Sequence, residues 1–247
     1  MLKGGFYMTE LWNTVKENAL FVLVSVGILL ALWIAARIAE HFLPQKRKAS
    51  LAQRASIIGI FAAIAMVLHI LDFPLPFLAP GFYKLDFSEV PVLLCGFYLG
   101  PAATVACEGI KILLKLLVTG TSTAFVGDVA NFVVGCSLVL PATIIYHIKK
   151  SRSSALVGMG VGTVCLTLFG SAFNAIYLIP KFSQLFHLPL ENIIAMGTAI
   201  NSGVTDVNSL VFYCVVPLNL LKGVVVSALV FLLYKRVGNL FLNKFTR

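Results

Sequence analysis

The stretch SLVFYCVVPLNLLKGVVVSALVFLLY, Ser209 to Tyr234, carries a single charged residue in a run long enough to cross a bilayer. About 20 such residues span a hydrocarbon core of ~30 Å, so this segment reads as a membrane helix. Its polar residues are placed rather than scattered. Asn219 and Lys222 lie three apart, which puts them on one helical face, and Pro217 just before them leaves a backbone carbonyl without its helical partner. Amide and charged side chains cost a few kcal/mol in lipid unless they meet a cavity or a partner, so that face points inward.

The same reading extends along the chain. Apolar runs cover about Ala19 to Phe42, Ala55 to Leu71, Phe87 to Leu99, Ala102 to Val118, Val126 to His147 and Ala155 to Ile179. Phe87 to Leu99 is short for a full crossing and forms a tight hairpin with the next run at Gly100-Pro101. With the last run these make an all-α membrane protein of seven helices: residues 1–50 form a tail and an anchor helix, and 51–247 a six-helix membrane domain. Composition agrees, since 59% of the 247 residues are hydrophobic, 12% are charged and the mean hydropathy is +0.96. A soluble domain, a disordered chain and a disulfide scaffold are excluded. The connections are Asp72-Phe73-Pro74-Leu75-Pro76 running to Asp86, the polar Thr119 to Thr123, and an external loop from Lys181 to Asp206 that comes after a stop at Pro180.

The net charge of +9 is a topology signal rather than a nucleic-acid footprint. Eleven of the nineteen basic residues fall in three groups: Lys46, Arg47, Lys48 and Arg54; Lys149, Lys150 and Arg152; Lys235, Arg236, Lys244 and Arg247. One topology puts all three on the same side, and the positive-inside rule makes that side the cytoplasm, with the N-terminus outside and the C-terminus inside. The first helix is retained as an anchor, because a cleaved signal carries its positive charges before the apolar core and here they come after it. Cys95, Cys107, Cys136, Cys165 and Cys214 sit singly in apolar runs, and the four histidines lack ligand spacing, so no metal site is expected.

The candidate functional residues are the polar ones inside the spans. Glu108, Lys111 and Lys115 share a face, either as a neutralising pair with a lysine reaching for the interface or as part of a site. Asp128 and Asn131 lie three apart near the external end of their helix, where Asp128 also suits the helix dipole. Asn174 sits in the external half of its own helix. Amides can simply bond helix to helix, but Asn131, Asn174, Asn219 and Lys222 converging at one end suggest an outward-open pocket. With Phe82, Tyr83, Phe87, Phe173 and Tyr177 as walls, it suits a flat heterocycle with hydrogen-bonding edges. No phosphate-binding loop, nucleophile elbow or zinc motif is present, so no enzyme is expected, and if the chain transports, something else drives it. Ala55, Gly59 and Ala63 recur every four residues, a stripe that either packs within the bundle or docks a partner helix.

Several ordered segments resemble a known family. They are Phe73-Pro74-Leu75-Pro76-Phe77-Leu78, Leu85-Asp86-Phe87-Ser88-Glu89-Val90-Pro91, Gly100-Pro101 and Ile110-Lys111. Ala130-Asn131-Phe132-Val133-Val134-Gly135, Asn174 before Leu178-Ile179-Pro180, and Val216-Pro217-Leu218-Asn219-Leu220-Leu221-Lys222-Gly223 come next in order. From about Ser56 to Val237 the chain is similar to the riboflavin-specific S components of energy-coupling factor (ECF) transporters. The resemblance implies a six-helix S-component fold and capture of riboflavin outside a bacterial plasma membrane. Asn131, Asn174, Asn219 and Lys222 would hold the ring, and Phe82, Tyr83, Leu85 and Asp86 belong to the loop that closes over it. It further implies a transmembrane coupling protein and two ABC-type ATPases as partners, with the coupling protein docked at Ala55, Gly59 and Ala63, and no cofactor beyond the transported ligand. Two departures stand out: the extra N-terminal helix, and Lys84 and Lys115, which with Lys111 and Lys222 favour a phosphorylated flavin or another anionic ligand. Another vitamin, or a lipid-processing membrane enzyme, is the alternative reading.

Overall fold

A computed structural model describes residues 4–43, 50–121, 123 and 125–245, with side chains described only from 23 to 234 within those ranges. Its elements are α1 (Gly4–Phe42), α2 (Leu51–Ile70), β1 (Phe73–Pro74), β2 (Lys84–Leu85), α3 (Glu89–Leu99), α4 (Pro101–Thr119), α5 (Val126–Ile148) and α6 (Arg152–Phe173), then α7 (Ile179–Leu185), α8 (Leu190–Thr198), α9 (Val207–Leu210) and α10 (Val216–Phe245). Among the described residues, five helical stretches are long and apolar enough to cross a membrane: Leu23–Phe42, Leu51–Ile70, Val126–Ile148, Arg152–Leu185 and Val207–Tyr234. The chain is a multi-pass, all-α membrane protein. The basic residues Lys46, Arg47 and Lys48 lie outside the described residues.

The short α3 is the centre of the bundle. It packs against α2, α4, α5 and α10, and every residue from Glu89 to Phe97 is buried. A helix walled by protein on all sides has no lipid face to cover, so its eleven residues need not match the bilayer. Gly100, at φ 105°, then turns the chain directly into α4, with Pro101 in the first helical turn where its missing N–H costs nothing.

The closest helix contact is α5 against α6. An added Cβ at Gly158 would stand 2.6 Å from the backbone oxygen of Ala142, and one at Gly162 would meet the backbone oxygen of Leu138. Small residues four apart let two backbones approach inside a membrane, where van der Waals packing replaces the hydrophobic drive. Gly158→Ala should therefore cost about 1–3 kcal/mol of stability, read as a lowered unfolding temperature in detergent.

α1 begins at Gly4, well before the apolar run at Ala19, since no proline interrupts the intervening residues. It lies along α4, where Leu29, Leu32 and Ala36 pack with Ala102, Val105, Ile112, Phe132 and Cys136. Near its end Glu40 bonds Arg37 at 3.3 Å and approaches Arg54 of α2 at 3.7 Å.

Two expectations are corrected. Lys181 to Asp206 is not a plain loop but is built largely from α7 and α8. Pro180 does not end its helix, which runs on from α6 through α7 to Leu185, and Pro189 within the expected loop is the N-cap of α8. The last span likewise begins earlier than its apolar run, at Val207, where Asp206 and Ser209 form a capping box. Two of the spans, Arg152–Leu185 and Val207–Tyr234, also contain a π-helical turn, Asn174–Leu178 and Val211–Val215, each two residues ahead of a proline, Pro180 and Pro217. A proline offers no N–H to the carbonyl four residues back, and a widened turn relieves that mismatch.

Candidate functional site

The C-terminal ends of α2, α4 and the α6–α7 span meet the N-terminal ends of α5 and α10 around a cavity of about 450 Å³. That lies within the range of ~300–1,000 Å³ usual for small-molecule sites. The hairpin β1–β2, in which Phe73 pairs with Leu85 and Pro74 with Lys84, lies beside it. Ala79 of the intervening loop is fully buried among Ile179, Ile193, Val204 and Leu210, so the loop packs on the α7–α9 segment.

Asn131, Asn174, Asn219 and Lys222 all line this cavity, as do Phe82, Tyr83 and Asp86. Leu85 is buried and does not line it, because the strand alternates Lys84 outward with Leu85 inward. The expected walls Phe87, Phe173 and Tyr177 are also displaced. Phe173 and Tyr177 stack on each other at 5.2 Å beside α5, Phe87 packs on Phe73 at 5.8 Å, and Phe182 of α7 lines the cavity instead. The π-helical turn after Phe173 shifts the helical register, which spacing alone does not reveal.

The amides differ in how far they are already engaged. Asn174 Oδ1 accepts the Tyr83 hydroxyl at 2.9 Å, and its Nδ2 donates to the Gly170 carbonyl at 2.7 Å. Burial pushes the Tyr83 phenol up from its ordinary value, so it stays a donor at physiological pH. Asn219 has only a long contact, Nδ2 to Ser171 Oγ at 3.5 Å. Gly170 makes its room: a Cβ there would lie 2.9 Å from Asn219 Nδ2. Asn131 is exposed to the cavity.

Lys222 Nζ is held by Asp86 Oδ2 at 3.0 Å and Glu89 Oε2 at 3.1 Å. Burial alone would raise the Asp86 carboxyl, but the Lys222 ammonium, with His69 and Lys111, holds it well below the ordinary carboxylate value. A depressed folded-state value means its contribution to stability is complete above about pH 4 and is lost only as pH falls through that lower value. The link between loop and α10 therefore survives mild acid.

Beneath Lys222 lies a buried ionic cluster. Lys111, fully buried, bonds Glu108 and Ser88 Oγ (3.0 Å) and stands 3.5 Å from Glu89. Gly135 on α5 opens space for it, since a Cβ there would collide with Glu108 Oε1. Glu108 and Lys111 are thus the neutralising pair, while Lys115 turns to Asp128 Oδ1 at 2.8 Å and the Gly120 carbonyl at 3.0 Å. Lys84 is paired as well, with Asp72 at 2.9 Å. Lys84, Lys111, Lys115 and Lys222, the lysines that in the sequence favour an anionic ligand, each meet a carboxylate. Sequence reasoning missed His69, Asp72, Phe182 and Glu89. Glu89 looks like an ordinary first-turn acid, and His69 like a helix-end residue.

The chain is similar to known proteins. The family profile described as ECF transporter, substrate-specific component, matches residues 53–234. The riboflavin transporter RibU of Staphylococcus aureus (strain TCH60) is 36% identical over 196 residues, covering 78% of this chain and 96% of its own length. The riboflavin transporter FmnP of Bacillus subtilis (strain 168) is 30% identical over 179 residues, 72% of this chain and 88% of its own. A solved S component of a bacterial ECF transporter superposes with a TM-score of 0.60 at 34% identity, covering 77% of this chain and 98% of that one. The chain belongs to the family of substrate-specific components of ECF transporters.

Proposed function

We propose that the protein captures riboflavin from outside the cell and delivers it inward as the substrate-binding subunit of an ATP-driven ECF transporter. It is a transport component, not an enzyme, and riboflavin is its ligand rather than a cofactor. The observation that carries the reading is the convergence of three asparagine amides and Lys222 on one cavity. A carboxamide offers a donor beside an acceptor and complements the pyrimidine edge of the isoalloxazine ring, and Lys222 donates to a ring carbonyl or ribityl hydroxyl. Phe82 and Phe182 supply apolar wall.

Seven crossings with the N-terminus outside and the C-terminus inside put the cavity on the external face of a bacterial plasma membrane. Lys149, Lys150 and Arg152 stand at the opposite end of the helices from the cavity, in accord with the positive-inside rule. Residues 1–50 are an added anchor on the 51–247 substrate domain. A transmembrane coupling protein, powered by two ABC-type ATPases, docks at the stripe of Ala55, Gly59 and Ala63. All three residues are exposed, nothing stands within 4 Å of a Cβ added at Gly59, and the added helix packs on α4 and α5 instead.

Asn219→Ala and Lys222→Ala each weaken riboflavin binding at least tenfold, about 1.4 kcal/mol, in a fluorescence titration of purified protein. Wild-type affinity in both variants would place the ligand elsewhere.

A further inference from the structure

Six charged side chains line the cavity, and they cancel: Lys84, Lys115 and Lys222 against Asp72, Asp86 and Asp128. Each lysine is held by one of the acids at 2.8–3.0 Å. The pairs divide by depth. Lys222 and Asp86 lie at the floor with the buried Asn174 and Asn219, whereas Lys84, Thr119 and Gly120 are exposed at the rim, Asp72 is half-buried there, and Lys115 bonds the Gly120 carbonyl. Asp128, like Asp86, is only 3% exposed; its Oδ1 takes the Lys115 ammonium and its Oδ2 accepts the Thr121 hydroxyl at 2.7 Å, so both oxygens hold rim groups in place.

We propose that Asp128 is a specificity-determining residue that neutralises Lys115 and so sets the site for an uncharged flavin against a phosphorylated one. The inference rests on the riboflavin reading and deepens it. With the ring edge on the amides at the floor, the ribityl chain extends toward the rim, where its hydroxyls meet paired ions and threonine hydroxyls. A terminal phosphate at the same place finds no cation without an acid already on it, and it must approach the carboxylates of Asp72 and Asp128. Like-charge contact of this kind discriminates by repulsion rather than by lost contacts.

The test is a charge series. Dissociation constants for riboflavin and for its phosphorylated form are measured by fluorescence quenching on wild-type protein, Asp128→Asn, Lys115→Gln and the double variant, at one low ionic strength. The ratio of phosphorylated-flavin to riboflavin dissociation constant falls at least tenfold in Asp128→Asn, rises in Lys115→Gln, and returns toward wild type in the double variant. Asp72→Asn, at the more exposed pair, lowers the ratio in the same direction and serves if Asp128→Asn does not fold. A ratio unmoved by Asp128→Asn, or by Asp72→Asn in its stead, overturns the proposal, as does a double variant that stays with either single one. A wild-type protein that binds neither flavin overturns the riboflavin reading itself, whereas riboflavin binding with an unmoved ratio overturns only the role of Asp128.

Discussion

Lys111→Met destabilises the protein by about 3–5 kcal/mol, the range expected when one partner of a buried ion pair is removed and its counter-charge stays behind. Lys111 is fully buried and faces two carboxylates, Glu108 and Glu89, together with Ser88. Methionine fills much of the space but leaves both acids without their shared cation. Glu108→Gln has a much smaller effect. Among the described residues, three carboxylates (Asp86, Glu89 and Glu108) share two ammonium groups (Lys111 and Lys222), so removing one negative charge brings the cluster to two against two. Glu108 Oε2 is also buried without a hydrogen bond, so the amide loses no partner at that atom. Thermal unfolding of the detergent-purified variants measures the difference; equal losses for both would contradict the charge count.

Gly59→Leu abolishes vitamin uptake by the assembled transporter while leaving riboflavin binding by the isolated protein intact. The two small-residue stripes of this chain have opposite fates. Gly158 and Gly162 face the α5 backbone inside the bundle, but Ala55, Gly59 and Ala63 remain outward with no neighbour closing over Gly59. A leucine is therefore accommodated within the monomer and obstructs only a helix that approaches from outside. Uptake assays in cells supplying the coupling protein and ATPases, paired with titration of the purified variant, separate the two effects. Loss of binding would remove the stripe from the docking surface.

The site residues legible in the sequence are those whose polarity conflicts with their surroundings. Asn131, Asn174, Asn219 and Lys222 interrupt apolar runs, and all four line one cavity. The aromatic walls are less legible because they depend on register. Phe173 and Tyr177 are four apart, but the π-helical turn starting at Asn174 rotates the residues beyond it, and the two rings stack away from the cavity. Pro180 reads as a stop because it offers no N–H to the carbonyl four residues back, but the π-helical turn ahead of it lets the helix run on to Leu185. The pairing of Lys115 with Asp128 and of Lys222 with Asp86 joins different elements, which helical spacing does not report. The run that forms α3 is visibly too short to cross, but its place at the bundle centre comes from packing on four neighbours.

The most direct test of riboflavin capture is titration of riboflavin with the detergent-purified protein, monitoring flavin fluorescence and the visible absorption of the same sample. Stoichiometric quenching at one flavin per chain, or a yellow chromophore that co-purifies, is the predicted result. A colourless protein that leaves riboflavin fluorescence unchanged would contradict it.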